Sequence, residues 1–368
     1  MTDRCSNCIL PANLPSLALD QNGKCNYCRK TESDITEKAA VPLDEMRERF
    51  EMMIKRLKGK GKYDCLVPLS GGKESSYILD VLVKEYDMKV LAFNFNNGFQ
   101  HHDAVRNIEN LVDNLGVDLH IYRPSQEMLY RLMCAFLSKA GEFCTPCNML
   151  ISATGFRLAR QNGIRAIMSG NAMGTSPGLE GLSSACHYDR KYYLTIANSL
   201  LGRREREFYL NPPYVRTTIR RLLGIEAQVI NVLDYLQPTL KEIHDRLDGI
   251  GWKHPADAIQ HGDCLLDPLK EHLYYKRWGC TEVTSLYSLL IRNGEITREE
   301  ALKKTLAEEH NEAPPILPEF LKAIGMTEDE FNEASKKDFR DIPNMRNTLI
   351  FRWGKRIVHT VERLRKRR

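Results

Sequence analysis

Ser70-Gly71-Gly72-Lys73-Glu74-Ser75 is the stretch of this 368-residue chain whose residue types and spacing best fit chemistry. It follows the apolar run Cys65-Leu66-Val67-Pro68-Leu69 and precedes a helical pattern from Ser76 to about Tyr86. A strand, a glycine-rich turn and a helix start make a phosphate cradle. Paired glycines let the backbone fold sharply and turn N–H groups toward an anion. The helix N-terminus adds unpaired donors and partial positive charge. Ser70, Ser75 and Ser76 supply hydroxyls, and Lys73 a mobile cation. A bare Gly-Gly turn would read as an ordinary connection, whereas the full hexapeptide between strand and helix points to a nucleotide.

The eleven cysteines offer a second chemistry. Cys5-Ser-Asn-Cys8 and Cys25-Asn-Tyr-Cys28 are two Cys-x-x-Cys pairs sixteen residues apart. Each such turn aims two sulfurs at one point, and two turns complete a closed tetrahedral site for structural zinc. A redox pair or an iron–sulfur site fits the same spacing. So short a segment buries little surface, so metal binding would supply its folding energy. Its expected role is to brace the nucleotide domain or to help bind substrate. Cys144-Thr145-Pro146-Cys147, and Cys264 after His261-Gly262-Asp263, form a further set. They read either as small buried hydrophobes or as three thiolates. As thiolates they could hold an iron–sulfur cluster with one iron open, a second zinc, or a persulfide.

The surrounding pattern supplies the elements that must position these groups. Leu43 to Leu57 has helical spacing and reads as a linker helix within 36–60, after a cysteine module at 1–35. Val90 to Phe95, Leu119 to Tyr122 and Arg165 to Ser169 read as further strands, with helices at Ala104 to Leu115 and around Ser152 to Gln161. Alternation at this spacing predicts an α/β fold, a doubly wound parallel sheet over 61–175. Ligands of such sheets sit at the carboxyl ends of the strands, where Ser70, Asn94 and Gly170-Asn171 fall. Beyond Gly174 the alternation fades, and 176–368 reads as a mainly helical substrate or lid region. Pro212-Pro213 breaks it, and Thr297 is placed to cap a helix.

With 42% hydrophobic residues the composition is that of a soluble globular protein, and no apolar run reaches the length of a membrane span. Met1 to Cys5 has no apolar core, so a cytoplasmic setting is expected, where metal or catalytic cysteines outnumber disulfides. The net charge of +5 owes much to Arg363 to Arg368, five basic residues in six. That run suits a solvated helix end or an anionic partner, and charge alone does not make this a nucleic-acid enzyme.

The hexapeptide resembles the PP-loop, Ser-Gly-Gly-x-Asp-Ser, of the ATP pyrophosphatase (adenine nucleotide alpha hydrolase) superfamily, with Glu74 standing where the family usually has Asp. The fold implied is the PP-loop, HUP-like sheet. The N-terminal cysteine pairs, Cys144 to Cys147, and the stretch from Trp278-Gly279 to Glu299-Glu300 extend the likeness over most of the chain. Together they resemble the N-acetyl sugar amidotransferases of lipopolysaccharide and flagellin-glycan biosynthesis. Ser169-Gly170-Asn171, where relatives often show Gly-Glu-Asn, and the His261 to Cys264 segment are departures.

This resemblance implies ATP with Mg²⁺, its terminal phosphates held by Ser70, Gly71, Gly72 and Ser75, and adenine met by the backbone around Phe93, Asn94 and Phe95. An amide or carbonyl oxygen of the acceptor attacks the α-phosphate and releases pyrophosphate. A nucleophile then displaces AMP. Lys73 would neutralise developing charge, with Glu74 beside it. Ammonia gives an amidine on an acetamido sugar nucleotide; no glutaminase-type Cys–His arrangement stands out, so a separate glutaminase is the implied partner. Sulfide or persulfide, from a sulfur-donor protein through Cys144, Cys147 and Cys264, would give a thioamide or a thiolated tRNA. PP-loop tRNA thiolases carry a comparable trio of cysteines by the active site, and a [4Fe-4S] cluster is the cofactor that this alternative implies.

Overall fold

The computed structural model describes residues 4–15, 17–37, 42–170, 189–211, 216–217, 219–220, 223, 225–254, 262–309 and 312–343. Asn171, Pro212-Pro213, His261 and the basic run Arg363 to Arg368 lie outside the described residues.

Two N-terminal helices, α1 (Asn26–Glu37) and α2 (Leu43–Leu57), lead into the alternating part of the chain. It runs β1 (Cys65–Pro68), α3 (Lys73–Lys84), β2 (Val90–Phe95), α4 (His102–Leu115), β3 (Asp118–Tyr122), α5 (Gln126–Ala140), α6 (Thr145–Gln161) and β4 (Ala166–Ser169). After α7 (Arg190–Ala197) and α8 (Arg203–Tyr209) comes β5 (Gln228–Asn231), then α9 (Leu233–Leu236) and α10 (Leu240–Asp248). The last part is helical: α11 (Asp267–Trp278), α12 (Glu282–Arg292), α13 (Arg298–Glu308), α14 (Leu317–Ile324) and α15 (Glu328–Ser335).

The five strands form one sheet in the order β3-β2-β1-β4-β5, and every pairing is parallel. Successive side chains of a strand point to opposite faces, which explains how four- to six-residue strands serve two cores. Cys65, Val67, Val90, Ala92, Ala166 and Met168 face a layer built from α2, α3, α4, α9 and α10. Leu66, Leu91, Phe93 and Ile167 face Leu158 and Ala159 of α6. The sheet is therefore covered on both sides, as a parallel sheet must be. A larger core gathers α5, α6, α7, α11, α14 and α15 with the four N-terminal cysteines.

The sheet does not end at residue 175. Gln228–Asn231 pairs in parallel with β4, so the α/β unit draws its last strand from the segment expected to be mainly helical. Four residues flanked by helical spacing carry too little pattern to announce a strand. Elsewhere α2 and β2 occupy the expected spans. Thr297 caps α13 as expected, its hydroxyl accepting from the Glu300 N–H while Glu300 returns to the Thr297 N–H.

Candidate functional site

Strand order reverses about β1, whose neighbours β2 and β4 lie on opposite sides, and crevices at such switch points receive ligands. The Ser70–Ser75 loop follows β1 there. Its conformation is held from within. Ser75 Oγ lies 3.1 Å from Ser70 Oγ, accepts from the Ser70 N–H at 3.2 Å and donates to the Gly72 carbonyl at 3.1 Å. Ser70 Oγ also accepts from the Gly72 N–H at 3.3 Å. Gly71 adopts φ +84°, and a Cβ built on it would lie 2.3 Å from the Ala104 carbonyl oxygen in α4. Glycine is thus required twice over at this position, by dihedral and by space.

Partners distant in sequence fix the same loop. The Gly71 carbonyl accepts from Trp252 Nε1 at 2.9 Å and from Asn107 Nδ2 at 3.4 Å. Asn94 is buried and donates to the Leu69 carbonyl at 2.9 Å, so its side chain braces the strand end. The Phe93 carbonyl accepts from the Leu69 N–H at 2.7 Å, and the Phe93 ring packs in the α6-side core. Gly170 lies against the loop: a Cβ there would be 3.1 Å from Glu74 Cβ and 3.2 Å from the Ser75 nitrogen. Ser76 is fully buried behind the loop. Lys73 Nζ and Glu74 Oε1 pair at 2.9 Å, both largely shielded from water.

The second set of cysteines lies nearby. Cys144 is the N-cap residue of α6, and Cys147 sits in its first turn. Asn97 Nδ2 reaches Cys264 Sγ at 3.5 Å and Cys147 Sγ at 4.0 Å, so one amide joins the two thiols. Burial pushes the Cys264 thiol up to about 11, with the Asp263 charge adding to the effect, so it is a thiol at neutral pH. The segment that carries Cys264 is pinned beside the loop. Residues Gln100 and Cys264 form an antiparallel bridge, and the His101 N–H donates to the Asp263 carbonyl at 3.1 Å. Asn97, Asn107, Trp252 and Asp263 thus join the candidate site. Asp263 falls in the His261 to Cys264 segment, whereas a single Asn107 or Trp252 has no motif around it.

Glu142 underpins the start of α6. Its carboxylate accepts from the Thr145 N–H at 3.0 Å and from the Tyr192 hydroxyl at 2.9 Å. Burial pushes its pKa up to about 7 against those hydrogen bonds. Between the ordinary carboxylate range and 7, the folded chain therefore binds a proton that the unfolded chain has lost. Stability then falls as pH rises through that window. Glu142→Gln keeps the shape without titrating. It is expected to gain up to about 3 kcal/mol on the native chain between pH 5 and pH 8, read from thermal unfolding at the two pH values. A constant difference across that range would show that Glu142 stays ionised.

The N-terminal cysteines converge as their spacing predicts. Cys5, Cys8, Cys25 and Cys28 are buried, with all four sulfurs within 4.8 Å of one another. Cys5 and Cys28 sulfurs are 3.9 Å apart, and those of Cys8 and Cys25 3.7 Å. A tetrahedron with metal–sulfur bonds of about 2.3 Å has edges of about 3.8 Å. Backbone N–H groups of Asn7 and Cys25 point at Cys5 Sγ, at 3.4 and 3.2 Å. The module braces the C-terminal helices. Arg298 of α13 donates to the Cys8 and Cys5 carbonyls, and Ser288 of α12 accepts from the Ile9 N–H. A second group, His101, His102 and Asp103, sits at the start of α4, where His101 Nδ1 caps the helix by accepting from the Asp103 N–H and Asp103 pairs with Arg106.

Residues 261–362 match the family described as LPS biosynthesis protein WbpG-like, C-terminal domain. The matched segment is similar to that domain. It begins beside Asp263 and Cys264, where a Cβ built on Gly72 would lie 3.7 Å from Asp263 Oδ2. The chain is also 22% identical to uncharacterized protein MJ1599 of Methanocaldococcus jannaschii, over 71% of this chain and 79% of that protein. Among solved structures it is similar to the U34-tRNA thiolase NcsA from Methanococcus maripaludis with its [4Fe-4S] cluster. That likeness has TM-score 0.36 and 12% identity, over 86% of this chain and 91% of the other. NMN synthetase from Francisella tularensis gives TM-score 0.30 and 13% identity, over 60% and 91%. Both structural likenesses are distant. Among the described residues, no helix is long and apolar enough to cross a membrane.

Proposed function

We propose that this chain is an ATP pyrophosphatase-type amidotransferase acting on an N-acetyl sugar nucleotide. The observation that carries the reading is the Ser70–Ser75 loop at the sheet's switch point, closed on one side by the start of a WbpG-like domain. The loop's N–H groups and the Ser70 and Ser75 hydroxyls bind the pyrophosphate part of ATP. An amide oxygen of the acceptor attacks the α-phosphorus and pyrophosphate leaves. Ammonia adds to the adenylated carbon, AMP departs with the former amide oxygen, and an amidine remains. Lys73, shielded and within the loop, offsets charge that develops on the leaving phosphates. Mg²⁺ would supply charge neutralisation of the phosphates when bound. A separate glutaminase is the proposed source of ammonia. The four N-terminal cysteines are proposed to hold a structural Zn²⁺, whose donor set and sulfur spacing they fit.

Sulfur transfer is the second reading, favoured by the way Asn97 joins Cys147 and Cys264. Incubating the chain with ATP and a UDP-N-acetyl sugar, with ammonium and with sulfide in parallel, separates the two. Amidotransfer predicts stoichiometric AMP and pyrophosphate, and a product in which one amide oxygen has become NH. Lys73→Ala should lower pyrophosphate release about 10²- to 10³-fold. Turnover should survive Cys147→Ala. A sulfur-bearing product that requires both Cys147 and Cys264 would overturn amidotransfer, and absence of pyrophosphate with any acceptor would overturn both readings.

A further inference from the structure

The loop's own carboxylate is already engaged, since Glu74 Oε1 pairs with Lys73 Nζ at 2.9 Å. A different carboxylate stands at the loop. A Cβ built on Gly72 would lie 3.7 Å from Asp263 Oδ2 and 3.9 Å from Asp263 Cβ. The backbone holds Asp263 in that place on both sides. Its carbonyl accepts from the His101 N–H at 3.1 Å, and the Leu265 N–H donates to the Phe99 carbonyl at 2.8 Å. Between them Gln100 and Cys264 form their bridge. Among the described residues, no hydrogen bond or ion pair engages the Asp263 carboxylate.

An unpaired carboxylate beside a phosphate cradle is the wrong sign for the ligand. Alone, it repels the phosphates it adjoins. A divalent cation between the two reverses this, because hard cations take carboxylate and phosphate oxygens together. We infer that Asp263, brought in by the WbpG-like segment, is the carboxylate that holds the divalent cation accompanying ATP at the Ser70–Ser75 loop. The inference rests on the ATP reading above. It also gives the C-terminal domain a direct part in the nucleotide site. The domain then supplies a ligand to the cation while placing Cys264 next to it.

ATP binding to the full-length chain, measured by calorimetry with Mg²⁺ and with metal chelated, tests this without turnover. The native chain should bind ATP at least about tenfold tighter with Mg²⁺. Asp263→Asn should lose that enhancement. It should bind metal-free ATP as tightly as the native chain or tighter, because a repelling charge has gone, and that result also shows the variant folded. Glu74→Gln should keep the Mg²⁺ enhancement. Mn²⁺ bound with ATP, read by electron paramagnetic resonance, should be retained by Glu74→Gln and lost by Asp263→Asn. Full Mg²⁺ enhancement in Asp263→Asn, or its loss in Glu74→Gln alone, would overturn the inference and leave the ATP reading intact. A native chain that binds no ATP under either condition would overturn the ATP reading itself.

Discussion

Gly71→Ala is expected to abolish ATP binding while leaving most of the chain folded. Two separate costs meet at this residue. An alanine at φ +84° is strained by about 1–2 kcal/mol. Its methyl group would also fall 2.3 Å from the Ala104 carbonyl oxygen and 2.8 Å from its carbon. These are backbone atoms of α4, so no side chain can turn aside, and overpacking adds about 1–3 kcal/mol. Relief must come from displacing the loop. The Gly71 carbonyl would then leave Trp252 Nε1, and the Ser70–Ser75 hydroxyl pair would open. The N–H groups would no longer converge, so ATP affinity should fall by at least about 100-fold. Gly116→Ala is the control. It carries the strain of φ +62° but would meet nothing within 4 Å, and it caps α4 at the far end. It should cost about 1 kcal/mol and leave ATP affinity unchanged. Calorimetric titration with ATP, beside thermal unfolding of both variants, reads the result. Native affinity in Gly71→Ala would remove this loop from the binding site.

That contrast shows which parts of the site are legible in sequence. The loop is legible because strand, glycines, serines and helix start are contiguous, so their spacing encodes the geometry directly. The four N-terminal cysteines are legible for the same reason, since each Cys-x-x-Cys is a local turn. What holds the loop is not local. Trp252 and Asn107 reach the Gly71 carbonyl from other elements, and neither belongs to any recurring pattern. Asn94 sits at a strand end that could face a ligand, yet its amide is committed to the Leu69 carbonyl. The strand at Gln228–Asn231 is equally silent, because its identity comes from pairing with β4 rather than from its four residues. Cys264 reaches the neighbourhood of Cys147 through the bridge to Gln100, and Asn97, which touches both thiols, shows in the sequence only as part of an Asn-Asn-Gly turn.

The cysteine module carries the other large expected effect, and its contacts determine where that effect appears. The full-length chain should hold one zinc per molecule, by elemental analysis, and be colourless. Chelation, or Cys8→Ser, should release the N-terminal segment. Without a cation the two turns keep only a few direct links, such as the Ser6 N–H to the Gly23 carbonyl at 2.9 Å, and structural zinc sites contribute folding energy outright. A loss of at least about 4 kcal/mol of local stability would speed amide exchange in this segment about 10³-fold. The damage should then spread to α12 and α13 rather than to the nucleotide loop. Arg298 would lose the Cys5 and Cys8 carbonyls, Ser288 the Ile9 N–H, and Trp278 the Asn13 amide that its carbonyl accepts from. Ile9 would also leave its cluster with Val283, Tyr287 and Ala301. Hydrogen exchange followed by mass spectrometry separates the regions. Protection should fall over residues 4–28 and over α12 and α13, and persist in β1, β2 and α3. Metal-free ATP affinity should change little, because among the described residues no hydrogen bond or ion pair of the module reaches Ser70–Ser75. Unaltered exchange after complete zinc removal would rule out a structural role. A brown chain containing iron and acid-labile sulfide at these four cysteines would replace zinc with a cluster and strengthen the case for sulfur chemistry.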